Sequence, residues 1–243
     1  MPKKKKKKKA VKAARPTNAK AAKPKAKITA KPKPEKALKQ EKKKADRARK
    51  ALKAAVPEEK EQLLSSEVVF EGPLFRVLRD RLIEPGGRTS ERDVVRHNGS
   101  VVILAIDSSK SRKNPWIVVE RQYRHAARQF LWELPAGKLE PGEDPLVGAQ
   151  RELAEETGYR AKKWKLLADF YPSPGFLGEA MKVFVAEGLV AGDAHPEDDE
   201  QIEFRLVKLS EVLKLIENGA ILDGKTLSSV LLYARINGGK RKK

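Results

Sequence analysis

The sequence predicts a mixed α/β domain that follows a basic N-terminal tail. Short apolar, β-branched runs begin near residue 67, and amphipathic helical patterns alternate with them. Gly and Pro residues separate most of these segments, as expected between strands and helices. The pattern continues for about 180 residues, which is long enough to bury a substantial hydrophobic core.

The tail, residues 1–60, consists mostly of Lys, Ala and Pro. Residues 1–55 contain 24 Lys or Arg and three acidic residues, whereas the rest of the chain contains 29 basic and 30 acidic residues. The formal charge of +20 therefore belongs to the tail and not to the domain, residues 61–240. Because the tail has few large apolar side chains to bury, we predict that it is disordered.

The composition excludes several classes of site. The chain contains no cysteine, which rules out disulfides and thiolate metal sites and suggests a reducing, cytoplasmic location. No apolar run reaches the 18 residues expected of a membrane span. The charged start, residues 1–9, is not followed by an apolar stretch, so it does not read as a signal peptide.

The first part of the domain, residues 61–98, is predicted to be an antiparallel hairpin. The stretch SEVVFEGPLFRVLRDRLIEPGG has strand character, is interrupted by Gly-Pro at residues 72–73 and ends at Pro-Gly-Gly, residues 85–87. The following SERDVVRH is predicted to be the returning strand.

The remainder, residues 99–240, is predicted to alternate strands and helices. The predicted strands are VVILAID, PWIVVERQYR, WKLLADFY, MKVFVAEGLV and IEFRLVKL, and FLWELPAG is predicted to be a short strand that runs into a loop. The last two predicted helices are LSEVLKLIENG and DGKTLSSVLLYARI. An earlier helix is predicted to begin with Asp144 as N-cap and Pro145 at its first position, and to end at Gly158.

That earlier helix carries an unusual concentration of carboxylates. Glu152 and Glu156 are four residues apart, and Glu155 lies three residues after Glu152, so like charges meet on one helical face. A bound divalent cation such as Mg²⁺ or Mn²⁺ would explain this arrangement, because these ions prefer hard oxygen ligands. An acidic, solvated helix is the alternative that spacing alone leaves open.

The segment GKLEPGEDPLVGAQRELAEETGY, Gly137–Tyr159, matches the Nudix box G-x5-E-x7-R-E-U-x-E-E-x-G-U at every fixed position. The chain therefore resembles a Nudix hydrolase. The resemblance implies an α/β/α sandwich and an enzyme that uses divalent metal ions to hydrolyse nucleoside diphosphates linked to another group.

The resemblance also implies roles for individual residues. The expected metal ligands are the Ala136 backbone carbonyl and the carboxylates of Glu152, Glu155 and Glu156. Glu143 is expected to act behind these ligands or through water. Arg151 is expected to pair with a carboxylate of the box and to hold it in place, as groups behind metal ligands commonly do.

Further stretches resemble the ADP-ribose and ADP-sugar pyrophosphatases of this family. FYPSPGF places Pro174 and Gly175 at the spacing from Tyr159 that this subfamily shows. In QYRHAARQFLWELPAG, the resemblance assigns Arg124 to the substrate diphosphate, which suits a guanidinium fork, and Glu133 to the metal cluster or the adenine site.

The N-terminal hairpin resembles one that relatives exchange across a twofold dimer. The resemblance therefore implies a domain-swapped homodimer in which Arg92 contributes to the partner's active site. The catalytic base is expected on the acidic loop HPEDDEQ, where Glu200 is the first choice and Glu197 and Asp198 are the alternatives.

The predicted activity is hydrolysis of ADP-ribose or a related nucleoside diphosphate sugar to AMP and ribose 5-phosphate or a sugar 1-phosphate. An RNA 5′-pyrophosphohydrolase and a nucleic-acid-binding protein with a nucleotide-sensing Nudix fold are the alternatives. Residues 1–55 are suited to non-specific contact with DNA or RNA, or act only as a solubilising tail. The preferred sugar and base, the number of metal ions and the choice between Mg²⁺ and Mn²⁺ stay open.

Overall fold

The structure is a computed structural model that describes residues 60–194 and 202–238, together with Lys43, Asp46 and Arg47. The predicted disorder of the tail falls almost wholly outside the described residues. The acidic loop that carries the three candidate bases, Glu197, Asp198 and Glu200, also lies outside them.

The described residues form ten strands and three α-helices, with a short 3₁₀ helix at His125–Ala127. The strands are β1 (Gln62–Glu71), β2 (Arg76–Ile83), β3 (Thr89–Arg96), β4 (Ser100–Asp107), β5 (Trp116–Arg124), β6 (Gln129–Glu133), β7 (Ala136–Lys138), β8 (Arg160–Phe170), β9 (Met181–Val190) and β10 (Glu203–Lys208). The helices are α1 (Pro145–Thr157), α2 (Leu209–Glu217) and α3 (Gly224–Gly238). None of the described helices is long and apolar enough to cross a membrane.

The N-terminal part forms an antiparallel sheet in the order β1-β2-β3. The predicted hairpin is therefore present as β2 and β3, and β1 adds a third strand beside it. The chain turns between β1 and β2 at Gly72, whose N–H donates to the Phe75 carbonyl at 3.1 Å. The Gly86-Gly87 turn that joins β2 to β3 has positive φ at both glycines, a conformation that other residues rarely adopt.

The central sheet has the order β10-β5-β4-β9-β8, with β6 paired to β5 and β7 paired to β4. β4 and β9 pair in parallel, and the other pairs are antiparallel. In β4, Val101 and Ile103 face one side of the sheet, while Val102 and Leu104 face the other. Because both faces of this strand are buried, its sequence is a nearly continuous apolar run.

Helices cover both faces of the central sheet. Ala149 and Leu153 of α1 are fully buried in the cluster on one face. Val212 of α2 and Val230 of α3 are fully buried in the cluster on the other face. This layering confirms the predicted α/β/α sandwich.

The two sheets are joined at the loop that follows β8. The Val95 N–H donates to the Phe176 carbonyl at 2.8 Å, and the Gly178 N–H donates to the Val95 carbonyl at 2.9 Å. The loop carrying Pro174 is therefore attached to β3. This attachment places the N-terminal sheet beside the beginning of β4, where the candidate site lies.

Candidate active site

The helix α1 is fixed at both ends by local contacts. The Asp144 carboxylate accepts hydrogen bonds from the N–H groups of Leu146 and Val147, at 2.9 and 3.2 Å, which confirms the predicted N-cap. Gly158 has φ of 69°, and a Cβ at this position would lie 2.4 Å from the Gly192 carbonyl oxygen. Only glycine fits this C-terminal position, so the helix stops there.

Arg151 is the centre of an ion-pair network on α1. Its Nε and Nη2 donate to the two oxygens of Glu143, both at 3.1 Å. Its Nη1 donates to Glu152 at 2.8 Å and to Glu155 at 3.0 Å, and Nη2 also reaches the Lys138 carbonyl at 3.2 Å. One guanidinium therefore fixes three of the four glutamates that the sequence singles out.

This network lowers the pKa of Glu143 and raises the pKa of Arg151. The hydrogen bond from Arg151 is the main cause that holds the pKa of Glu143 below its ordinary value. The hydrogen bond to Glu143 is the main cause that raises the pKa of Arg151, and the charge of Glu152 and the hydrogen bonds to Glu155 and Glu152 add to it. The guanidinium and the Glu143 carboxylate therefore both stay charged at neutral pH.

β7 lies directly against the carboxylates of α1. A Cβ added to Gly137 would lie 1.8 Å from the Glu152 carboxyl carbon, so the Glu152 carboxylate occupies the place of a side chain at residue 137. The Ala136 N–H donates to Glu156 at 3.2 Å. The strand thus positions one carboxylate by close packing and another by a hydrogen bond.

These groups border a cavity of about 770 Å³, which is large enough for a nucleotide-sized ligand. Lining residues that bear on the chemistry are Arg124, Ala136, Arg151, Glu152, Glu155, Glu179 and Lys225. Pro73 and Leu74, which follow β1, also contribute to the wall. The N-terminal sheet therefore takes part in shaping the cavity.

The oxygen donors here fit a hard divalent cation by their chemistry. Glu152 and Glu155 border the cavity, Glu156 lies behind them, and the carbonyl of Ala136 belongs to the same wall. Across residues 60–194 and 202–238, however, no three Asp, Glu or His side chains are already grouped to hold a metal ion.

A second ionic cluster surrounds Glu133, whose side chain is fully buried. Arg124 donates to both Glu133 oxygens, from Nε at 2.9 Å and from Nη2 at 2.7 Å. The Lys225 ammonium also donates to Glu133 and lies 3.2 Å from Asp223. Burial by itself would raise the pKa of Glu133, but Arg124 and Lys225 outweigh it and the pKa is lowered.

Glu120 is a third buried acid and was not expected from the sequence. Its side chain is fully buried, it interacts with the Glu156 carboxyl, and neither of its oxygens has an N–H or hydroxyl donor among the described residues. Burial is the main cause that raises its pKa, and the charge of Glu133 adds to the effect against the opposing charge of Lys225. This carboxyl group therefore favours its neutral form.

The predicted site residues fall into three groups. The box residues, Arg124 and Glu133 lie in or directly behind the cavity wall. Pro174, Gly175 and Arg92 do not border this cavity within one chain, and Arg92 instead pairs with Glu84. Glu200 belongs to the part of the chain that is not described. The roles of all these residues stay predictions.

Sequence reasoning missed three residues of this region: Glu120, Glu179 and Lys225. Glu179 borders the cavity and accepts a hydrogen bond from the Ser100 hydroxyl. Only Glu120 had a usable signal, since an acid inside the apolar run IVVE of a central strand is unusual. Lys225 had no such signal, because a lysine in the first turn of an amphipathic helix is usually exposed to solvent.

Comparison with known proteins gives a consistent result. Residues 96–229 match the family described as NUDIX domain. The chain is 38% identical over 174 residues to an ADP-ribose pyrophosphatase of Bacillus subtilis (strain 168), covering 70% of this chain and 91% of that protein. It is also 38% identical over 173 residues to a methanol dehydrogenase activator of Bacillus methanolicus, with the same coverage of 70% and 91%.

A solved structure is similar in fold. It is described as the crystal structure of an ADP compounds hydrolase and superposes with a TM-score of 0.65, covering 77% of this chain and 100% of the other. The two sequences are 20% identical, so this similarity concerns the fold alone.

Proposed function

The chain belongs to the Nudix family, and from this premise we propose that it hydrolyses the diphosphate linkage of ADP-ribose or a related nucleoside diphosphate sugar. The products are AMP and ribose 5-phosphate, or AMP and a sugar 1-phosphate. The intact box and the 38% identity to an ADP-ribose pyrophosphatase support this assignment.

The observation that carries the proposal is the position of the Arg151 network. It holds Glu152 and Glu155 on the wall of a cavity whose volume suits a nucleotide sugar. On the same wall lies Arg124, a cation suited to phosphate oxygens. Acidic and basic groups thus meet where a diphosphate and its counter-ions are to be bound together.

Glu152, Glu155, Glu156 and the Ala136 carbonyl would hold a divalent cation, Mg²⁺ or Mn²⁺, which would neutralise charge on the diphosphate and make a bound water more acidic. Arg151 keeps the carboxylates oriented, and its pKa shift keeps it charged at every pH of interest. Hydrolysis adds water to one phosphorus and breaks the bridging P–O bond, so one proton must leave the water. We assign that proton to Glu200, with Glu197 and Asp198 as alternatives.

Arg124 has a defined position for substrate binding. Arg124 donates from Nε and Nη2 to the Glu133 carboxylate, which fixes the plane of its guanidinium. The N–H groups of Nη1 remain to bind a ligand. The Arg124 side chain is 37% exposed, whereas its Glu133 partner is fully buried. Glu133 therefore acts as a positioning residue for Arg124.

We also propose a homodimer built through the N-terminal sheet, residues 61–98, packed on the catalytic core, residues 99–240. Large apolar side chains on and after β1 are exposed in the single chain: Leu63, Val68, Phe70 and Leu74. We propose that a second copy covers them, since burial of exposed large apolar side chains favours association. Exchange of this sheet between copies would bring Arg92 to the partner's cavity.

We also propose a role for the tail and a cellular location. The domain without residues 1–55 is nearly neutral, so any salt-sensitive binding of DNA or RNA resides in the tail. Deletion of residues 1–55 is expected to preserve hydrolysis of small molecules and to abolish such binding. We place the protein in the cytoplasm.

The test of the proposed activity is a substrate panel with product identification. ADP-ribose, ADP-glucose and other nucleoside diphosphate sugars are incubated with the full-length protein and Mg²⁺ or Mn²⁺, and products are separated by chromatography. AMP release from ADP-ribose is the expected result. Pyrophosphate release from triphosphorylated RNA without AMP release would instead favour an RNA pyrophosphohydrolase.

A further inference from the structure

Lys225 is a largely buried cation at the beginning of α3. Only 10% of its side chain is exposed, and that part borders the cavity that contains Glu152 and Glu155. Its ammonium donates to Oε2 of Glu133 and lies 3.2 Å from Oδ1 of Asp223. A lysine with this degree of burial requires such partners.

Lys225 and Arg124 converge on one atom. Both Arg124 Nη2 and Lys225 Nζ bond to Oε2 of Glu133, so the two positive groups are immediate neighbours. Both cations border the cavity, whereas Glu133 and Asp223 are not part of its wall. A ligand in the cavity therefore meets two adjacent cations, with their carboxylate partners behind them.

Both acidic partners of Lys225 also accept hydrogen bonds from other groups. Glu133 already receives two hydrogen bonds from Arg124. Asp223 caps α3 through Oδ2, which accepts from the Thr226 N–H at 2.9 Å and the Thr226 hydroxyl at 2.6 Å. An ammonium has three N–H donors; Glu133 takes one, and the ion pair with Asp223 can engage one more.

We propose that Lys225 binds the diphosphate of the substrate together with Arg124. This inference rests on the proposed function and adds to it a second cation, outside the Nudix box, that contacts phosphate oxygens. The third N–H of Lys225 is the donor to the phosphate. Lys225 thereby selects ligands with two linked phosphates over those with one, because two neighbouring cations match two neighbouring anionic groups.

The test measures ligand binding by calorimetry, with chelator and with Mg²⁺, for the wild type, Lys225→Met and Lys214→Met. Lys214 is an exposed lysine of α2 and serves as the matched control. The probes are inorganic pyrophosphate, inorganic phosphate and an ADP-ribose analogue with a methylene bridge. Lys225→Met is expected to weaken binding of pyrophosphate and the analogue by about ten- to a hundredfold, as loss of a charged hydrogen bond would.

Inorganic phosphate should lose less affinity than pyrophosphate in Lys225→Met, and Lys214→Met should bind all three probes as the wild type does. Lys225→Gln keeps an N–H donor for Glu133 but removes the charge, so it gives the same loss of binding if the Met variant does not fold. Lys225→Arg should restore most of the affinity.

Wild-type affinity for pyrophosphate in both Lys225→Met and Lys225→Gln would overturn the inference. The same follows if either variant loses thermal stability but keeps its affinity. A wild-type protein that hydrolyses ADP-ribose while these variants bind normally would refute only the role of Lys225. A wild-type protein that neither binds the analogue nor hydrolyses ADP-ribose would refute the proposed function itself.

Discussion

The Glu152 carboxylate occupies the space that a side chain on Gly137 would need: the carboxyl carbon of Glu152 lies 1.8 Å from the position of a Cβ at residue 137. A side chain at residue 137 and the observed position of Glu152 therefore exclude each other. This contact explains in physical terms why the segment begins with glycine.

Gly137→Ala is expected to displace Glu152 and to lower kcat by about a hundredfold, because a shift of about 1 Å in a catalytic group costs that much. The melting temperature should stay close to that of the wild type. The control is Gly238→Ala at the end of α3, where an added Cβ meets nothing within 4 Å. Full activity of Gly137→Ala in steady-state kinetics would show that the position of Glu152 is unimportant.

Arg151→Lys tests whether the guanidinium fork, and not charge alone, holds the carboxylates. A lysine cannot reach Glu143, Glu152 and Glu155 at once, so the apparent affinity for Mg²⁺ should fall by about ten- to a hundredfold. The measurement is the Mg²⁺ dependence of turnover, with direct titration of Mn²⁺ as a second readout. Unchanged metal affinity in both would contradict the positioning role.

Glu120→Gln is expected to stabilise the protein increasingly as the pH rises. The pKa of Glu120 is raised in the folded state, so above pH 5 the folded protein holds a proton that the unfolded chain has lost. The stability that Glu120 contributes to the wild type is therefore lost as the pH rises through the raised pKa. Glutamine does not titrate, so the variant shows no such loss. Thermal unfolding in chelator from pH 5 to 9 should show the gain widening by about 1 kcal/mol or more.

A gain in stability that stays constant across this pH range would mean that Glu120 is ionised in the folded protein as it is in the unfolded chain. Glu120→Asp is a useful companion variant. It keeps the titratable group, so its stability should still decline with pH.

Substitution of Val68 and Phe70 by Asp tests the proposed dimer. Both side chains are about half exposed in the single chain, and charges there would prevent a second copy from covering them. Light scattering is expected to give about twice 27.1 kDa for the wild type and 27.1 kDa for the variant. Leu166→Asp, an exposed apolar position on β8, is the control. A wild-type mass of one chain would refute the dimer.

The parts of the fold that the sequence predicts are those with strong local signals. α1 has Asp144 as its N-cap and stops at Gly158 as expected, because the capping signals lie in residues next to the helix. β4 is predicted from its apolar run, since burial on both faces favours apolar side chains at the positions between Ser100 and Asp107.

The parts that were missed depend on distant contacts. β7 contains Gly137 and spans only three residues, and its pairing with β4 makes it a strand. Lys225 joins Glu133 from 92 positions away, a contact that no local pattern reveals. The box, by contrast, brings its own partners together along one helix and the loop before it. Its members could therefore be named from the match to the Nudix box, and their roles stay predictions.

The most direct test of the central claim is AMP release from ADP-ribose by the wild type and by Glu152→Gln, under saturating Mg²⁺. We expect the wild type to release AMP and ribose 5-phosphate in equal amounts. The variant should melt at a similar temperature and turn over at least about a thousandfold more slowly, because it lacks one of the proposed ligands of the catalytic cation. Turnover by Glu152→Gln at the wild-type rate would contradict the account.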